Sequence, residues 1–178
     1  MNDIPTEPEH EKETSMACCT VVEMAGQQSV GMGQILVARC PGKLTAVLGS
    51  CVGVALVHPR LHVGCLAHVV LPESAGREST PGKFADTAIP VMIRQLEELG
   101  ANRSGLVAKI TGGACMFGTS GPLQIGEANI EAVTRLLGQA GIRMAGKHVG
   151  GTKGRRVTLD PATGYVRVEI VGAQVITI

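Results

Sequence analysis

Between residues 34 and 72 the short Val-rich runs QILVARC, TAVLGS, CVGVALVHP and VGCLAHVVLP follow one another, punctuated by Pro and Gly. Apolar runs of this length, without sustained polar alternation, read as strands buried on both faces. A chain built around them needs other elements to cover the resulting sheet. Ala85, Ala88, Ile89, Met92, Ile93, Leu96 and Leu99 recur at helical spacing, with Arg94, Gln95, Glu97 and Glu98 between them and Gly100 closing the run. Pro90 lies inside that helix and predicts a kink, or a restart with Pro90 in the first turn. Ile130, Val133, Leu136, Leu137 and Ala140 mark a second helix, closed by Gly141. LVAKITGG reads as a strand ending in a glycine turn, and a further strand is expected near Ile142. RRVTLD, the turn PATG and YVRVEIV alternate with period two, as a hairpin with one wet face does. This order predicts an α/β fold of packed mixed β-sheets flanked by helices, and argues against a doubly wound nucleotide fold.

A core for such a fold is available. The chain has 178 residues, 44% of them hydrophobic, which suits one compact domain. With 2 Phe, 1 Tyr and no Trp, the core must be aliphatic, and 24 glycines, about twice the usual ~7%, imply many tight turns. Asp3, Glu7, Glu9, Glu11 and Glu13 stand against Lys12 near the start, so residues 1–28 are expected to be a disordered acidic leader and residues 29–178 a single catalytic domain. The start lacks the positive and apolar regions of a secretory signal, which predicts a cytoplasmic protein. The uncharged stretch of residues 44–59, broken by Gly49, Ser50 and Gly53, falls short of the roughly 18 apolar residues that span a bilayer, so no membrane insertion is expected. A net charge of +1 and the scarcity of aromatics argue against nucleic acid as a partner.

Glycine motifs give no nucleotide site. GRESTPGKF has the wrong glycine spacing for a phosphate loop and places Phe84 where Ser or Thr should hold magnesium. GMGQIL lacks the third glycine of a dinucleotide fingerprint. Cys18, Cys19, Cys40, Cys51, Cys65 and Cys115 include no C-x-x-C pair, so reduced thiols and no zinc ribbon are expected. His58 and His62 are four apart, but Pro59 between them makes HPRLH a turn rather than a metal-binding helix. No metal and no cofactor are predicted.

Cys51 alone has the setting of a nucleophile: a strand, a tight Gly49-Ser50 turn, then a thiol among small residues that let a substrate backbone approach. Taken by itself, the same setting suits an inert buried thiol. A two-residue hairpin turn at Pro59-Arg60 would pair Cys51 directly with His68, whereas a loop one residue longer would turn His68 to the other face. The plain alternative for His68 is a core histidine bonded to backbone. If the two meet, the chemistry is nucleophilic acyl transfer. The imidazole lowers the thiol pKa, protonates the departing nitrogen and then activates water against a thioester. Backbone N–H groups around Gly49, Ser50 and Cys51 would supply oxyanion donors, and the Thr45 hydroxyl is a candidate for orienting His68.

LTAVLGSCVGV, GCLAHVVLP, PGKFADTAI, KITGGACMF, IGEANIEAV and the late GGTKGRR occur in the order seen in the CheD family of chemoreceptor glutamine deamidases, which residues 31–172 resemble. The resemblance implies a cysteine hydrolase that converts glutamine side chains of methyl-accepting chemotaxis receptors to glutamate, releasing ammonia. It implies Cys51 as nucleophile, His68 as general acid/base and Thr45 as the orienting third residue. It also implies a fold related to the toxin-deamidase (CNF-like) cysteine hydrolases and a CheC-type phosphatase as a further partner. Arg143, Lys147, Lys153, Arg155 and Arg156 come without an intervening acid, and Arg155 and Arg156 are expected to dock an acidic receptor helix. The competing readings are a non-catalytic chemotaxis adaptor and another thiol acyl-transfer enzyme, such as a peptidase or a transglutaminase-like catalyst.

Overall fold

The structure, a computed structural model, describes residues 21–22, 26–116 and 124–178. In chain order the elements are β1 (Val21–Val22), β2 (Gln27–Ser29), β3 (Ile35–Arg39), β4 (Lys43–Leu48), β5 (Val52–His58), β6 (Val63–Val69), α1 (Ala85–Glu98), β7 (Val107–Gly112), α2 (Ile125–Gln139), β8 (Arg143–Val149), β9 (Arg155–Asp160), β10 (Tyr165–Glu169) and β11 (Ile176–Thr177). They form two mixed sheets. The first has the order β1-β3-β6-β5-β7-β8 and the second β11-β10-β9-β4-β2. Parallel pairs, β1 with β3, β7 with β8 and β2 with β4, sit at sheet edges around antiparallel centres.

The first sheet is covered twice. Val52, Val54 and Leu56 of β5 and Val63, Cys65, Ala67 and Val69 of β6 point toward the helices, where they meet Ala88, Met92 and Leu96 of α1 and Val133 and Leu137 of α2. Ala55 and Val57 of β5 and Leu66 of β6 point the other way, onto Leu44, Ala46 and Leu48 of β4 and Val157 and Leu159 of β9. Every residue of β5 and β6 is therefore buried, as the unbroken apolar runs predict. The second sheet has one wet face: β9 and β10 alternate buried and exposed residues, as their period-two pattern requires. Among the charged groups enclosed by the fold, Lys109 is satisfied by carbonyls. Its Nζ donates to Gly164 O at 2.7 Å and Ile178 O at 2.8 Å, and it lies 5.0 Å from the centroid of the Tyr165 ring.

Three expectations need correction. The segment TAVLGS is not enclosed on both sides: β4 alternates, with Lys43 and Val47 exposed, because it belongs to the sheet with a wet face. The expected leader ends earlier than residue 28, since β1 pairs with β3 and β2 with β4; residues 1–20 lie outside the described residues. Helix α1 runs unbroken from Ala85 to Glu98 through Pro90, so it does not restart there. The proline side chain is exposed, away from the face that packs on the sheet.

Among the described residues the intersheet layer is built of interdigitated aliphatic groups. Truncating fully buried Leu159 to Ala is expected to cost roughly 2–5 kcal/mol in urea unfolding, whereas Val47→Ala, at a 66% exposed position, should change stability by less than about 0.5 kcal/mol.

Candidate active site

The β5–β6 register sets the geometry of the site. Gly53 pairs with His68 and Val52 with Val69, so continuation of the ladder puts Cys51 opposite Val70. The direct pairing of Cys51 with His68 expected from a two-residue turn is therefore corrected. Because His58 pairs with Val63, residues 59–62 form the turn, two residues longer than assumed. An even shift preserves side-chain direction, so Cys51 and His68 still face the second sheet as diagonal neighbours. Such Cβ atoms lie up to about 7–8 Å apart, within reach of a long side chain. Cys51 is half-buried against the intersheet cluster and His68 is buried. Directly across from His68, Gly53 has no side chain, and Leu48 Cδ1 comes within 2.8 Å of the place a Cβ would take.

The turn before Cys51 is held from behind. Ala114 N donates to Gly49 O at 2.8 Å, and Gly113 N donates to Cys51 O at 2.8 Å. Gly112 and Gly113 have φ of +104° and +66°, a conformation that favours glycine, and a side chain on Gly112 would run into the Cys51 carbonyl. Gly49 is covered by Met116, whose Sδ lies 2.5 Å from the position of a would-be Cβ. Gly49 and Ser50 lead directly into Cys51 at this turn.

His68 is oriented by a backbone atom. Its Nδ1 lies 3.3 Å from Val30 O. A carbonyl only accepts, so Nδ1 carries the proton and Nε2 keeps its lone pair. The expected hydroxyl contact from Thr45 is absent. Thr45 Oγ1 donates to Val157 O at 2.7 Å and lies 3.5 Å from Thr158 Oγ1, because Thr45 alternates with Leu44 and Ala46 and so points away from the intersheet layer. Thr45 reaches His68 through the main chain: its carbonyl accepts from Val30 N at 2.7 Å, and Val30 O meets the imidazole. Nothing in the sequence marks Val30, because a peptide carbonyl belongs to every residue type.

Arg155 and Arg156, paired in the sequence, have opposite environments. Arg155 is buried, which corrects its expected role in docking a receptor helix. Its guanidinium donates to His148 O at 2.9 Å, to Gly150 O and to Lys153 O, and it lies 3.0 Å from His148 Nδ1. The loop so gathered braces the turn after β7, since Gly150 N donates to Gly112 O at 2.9 Å and Cys115 N to Gly151 O at 2.8 Å. Arg156 is exposed on the wet face of the second sheet, in a groove of about 480 Å³ shared with Lys43, Asp160, Tyr165 and Arg167. His58 is buried at the end of β5, and His62 lies on the turn with Nδ1 3.0 Å from Ala162 O.

Burial sets the electrostatics of the pair. Loss of hydration pushes the Cys51 thiol above its ordinary 9.0, an effect that its own backbone N–H partly offsets. The same loss holds His68 below its ordinary 6.5, against the smaller opposing effect of the Val30 carbonyl. Near neutral pH these directions leave both groups uncharged. The resting thiolate expected from a nearby imidazole is not the state this geometry favours.

Cys51 and an oriented His68 thus share one face of a two-sheet α/β protein. A family model described as CheD, chemotactic sensory transduction, matches residues 70–170, and curated relatives match most of the chain. A probable chemoreceptor glutamine deamidase CheD of Symbiobacterium thermophilum is 43% identical over 153 residues, covering 82% of this chain and 93% of that protein. The chemoreceptor glutamine deamidase CheD of Thermotoga maritima is 41% identical over 144 residues, covering 80% and 91%. A probable chemoreceptor glutamine deamidase CheD of Clostridium botulinum strain Hall is 40% identical over 149 residues, covering 80% and 92%. The chain belongs to the CheD family. Among solved structures, the hypothetical protein YfiH of Bacillus licheniformis aligns with a TM-score of 0.42 and 17% identity over 75% of this chain and 61% of that one, too distant a likeness to bear on the site.

Two measurements check this account. Alkylation of Cys51 by iodoacetamide, followed by mass spectrometry, should accelerate continuously from pH 6 to about 9, with its midpoint above the ordinary thiol value; an acid-side plateau would instead reveal a thiolate–imidazolium pair. Arg155→Met should cost roughly 1.5–3 kcal/mol in urea unfolding by stripping charged donors from enclosed carbonyls, while Arg156→Glu should change stability by less than about 0.5 kcal/mol.

Proposed function

We propose that the chain is a chemoreceptor glutamine deamidase that works through a Cys51 thioester. The observation that carries the reading is the shared face of Cys51 and His68, with Val30 O on Nδ1 leaving Nε2 as the base. His68 Nε2 takes the thiol proton as sulfur attacks the side-chain carbonyl carbon of a receptor glutamine. The oxygen that becomes negative is stabilised by backbone N–H groups of the Gly49-Ser50-Cys51 turn. The tetrahedral adduct collapses as the imidazolium hands its proton to the leaving nitrogen, and ammonia departs. Neutral His68 then draws a proton from water, which cleaves the thioester to glutamate and restores the thiol. A single catalytic domain that takes in β1 and β2 together with residues 29–178 carries all these groups, and Thr45 is a positioning residue that acts through its carbonyl and Val30.

Identity of 40–43% to proteins named chemoreceptor glutamine deamidases supports the substrate class. Among the described residues no helix is long and apolar enough to cross a membrane, which suits an enzyme that meets the cytoplasmic helices of its receptors. Arg156, exposed beside Arg167 and Lys43, is our candidate for docking an acidic helix. The finer fold relationship to toxin deamidases and the binding of a CheC-type phosphatase remain parts of the same proposal.

Incubation with a receptor cytoplasmic fragment should release ammonia and give the mass gain of amide-to-acid conversion. Cys51→Ala should abolish conversion, and His68→Ala should slow it by about 10²–10⁴-fold. Receptor binding without conversion by the wild type would favour the adaptor reading, and chain cleavage or crosslinking would favour another acyl-transfer enzyme.

A further inference from the structure

We propose that Asn129 is a positioning residue for this reaction, aiming the Cys51 N–H at the oxyanion by holding the carbonyl that precedes it. The inference rests on the Cys51 reading above. Three successive carbonyls at the nucleophile turn are each held: Gly49 O by Ala114 N at 2.8 Å, Ser50 O by Asn129 Nδ2 at 3.3 Å and Cys51 O by Gly113 N at 2.8 Å. A trans peptide is planar, so its N–H points opposite to its C=O. Fixing the Ser50 carbonyl therefore fixes the direction of the Cys51 N–H. Of the three anchors, only Asn129 acts through a side chain.

The same Nδ2 also donates to Val70 O at 2.9 Å. Val70 continues β6 opposite Cys51, so one amide nitrogen ties the strand end that carries the nucleophile to the strand that carries His68. Asn129 reaches both because α2 starts in close contact with the glycine turn: a Cβ on Gly126 would lie 2.6 Å from Gly113 O. The orientation of the amide is set, since a flip would place its oxygen against two carbonyl oxygens. Asn129 is fully buried and its Oδ1 has no partner among the described residues. An apolar side chain would fill this place without an orphaned oxygen, so what the amide contributes is its pair of N–H donors.

The test separates the oxyanion from the thiol. Asn129→Leu is nearly isosteric, and Asn129→Ser, too short to bridge the two carbonyls, serves if the leucine variant does not fold. Each is compared with wild type and Cys51→Ala for kcat and KM on a receptor fragment, and for iodoacetamide alkylation of Cys51. Alkylation attacks an sp³ carbon and develops no oxyanion. We expect kcat to fall by about 10- to 100-fold, below the 10²–10³ typical of removing an oxyanion donor outright, with KM and the alkylation rate each within about twofold of wild type. A folded variant with kcat within about threefold of wild type would overturn the proposal, as would alkylation falling in parallel with deamidation. Persistent conversion by Cys51→Ala would instead overturn the thioester reading itself, while an inactive Cys51→Ala beside a normal Asn129 variant would remove only the role of Asn129.

Discussion

Side chains on a strand alternate between two faces, so the β5–β6 ladder determines whether Cys51 and His68 belong to one site or to two unrelated surfaces. Pairing of Gly53 with His68 puts both on the side of the second sheet, and the remaining architecture defends that register. Both strands are enclosed on both faces, so sliding β6 by one residue would drive Val63, Cys65, Ala67 and Val69 out of the layer under the helices. The apolar core thus fixes a polar geometry. Nothing in the Cys51–His68 relationship needs to be stabilised by those two residues themselves.

The groups that finish the site are largely main-chain atoms. Val30 O selects the His68 tautomer, and Gly113 N and Ala114 N hold the carbonyls on either side of Ser50. Backbone atoms serve here because glycines let segments approach closely: the side chains missing from Gly112 and Gly126 would otherwise occupy the space of Cys51 O and Gly113 O. The abundance of glycine, which in the sequence indicates only many turns, is spent in part on packing three loops around one thiol.

Burial gives the proposed chemistry a particular character. Desolvation disfavours charge on both Cys51 and His68, so the resting pair is neutral and charge separates only as the thiol attacks. Donors already aimed at the new negative charge then matter more than a preformed thiolate, because fixed dipoles in an enclosed site need not reorganise during the reaction. Arg155 belongs to the same economy of fixed groups: its charge is enclosed, and it acts on carbonyls of the loop behind the turn.

The sequence determined the elements and their exposure wherever hydrophobic periodicity was strong: the unbroken runs of β5 and β6, the helical spacing of α1 and α2, and the alternation of β9 and β10. The ordered motifs around Cys51 and His68 were also readable, because reactive side chains are letters of the sequence. Tertiary structure alone decided the length of the β5–β6 turn, the opposite fates of Arg155 and Arg156, the direction of Thr45 and the partner of His68. Adjacent identical residues on a strand differ only by which face they meet, and a peptide carbonyl has no letter of its own. Both become specific only when distant segments are brought together, as Val30, His68 and the Cys51 turn are here.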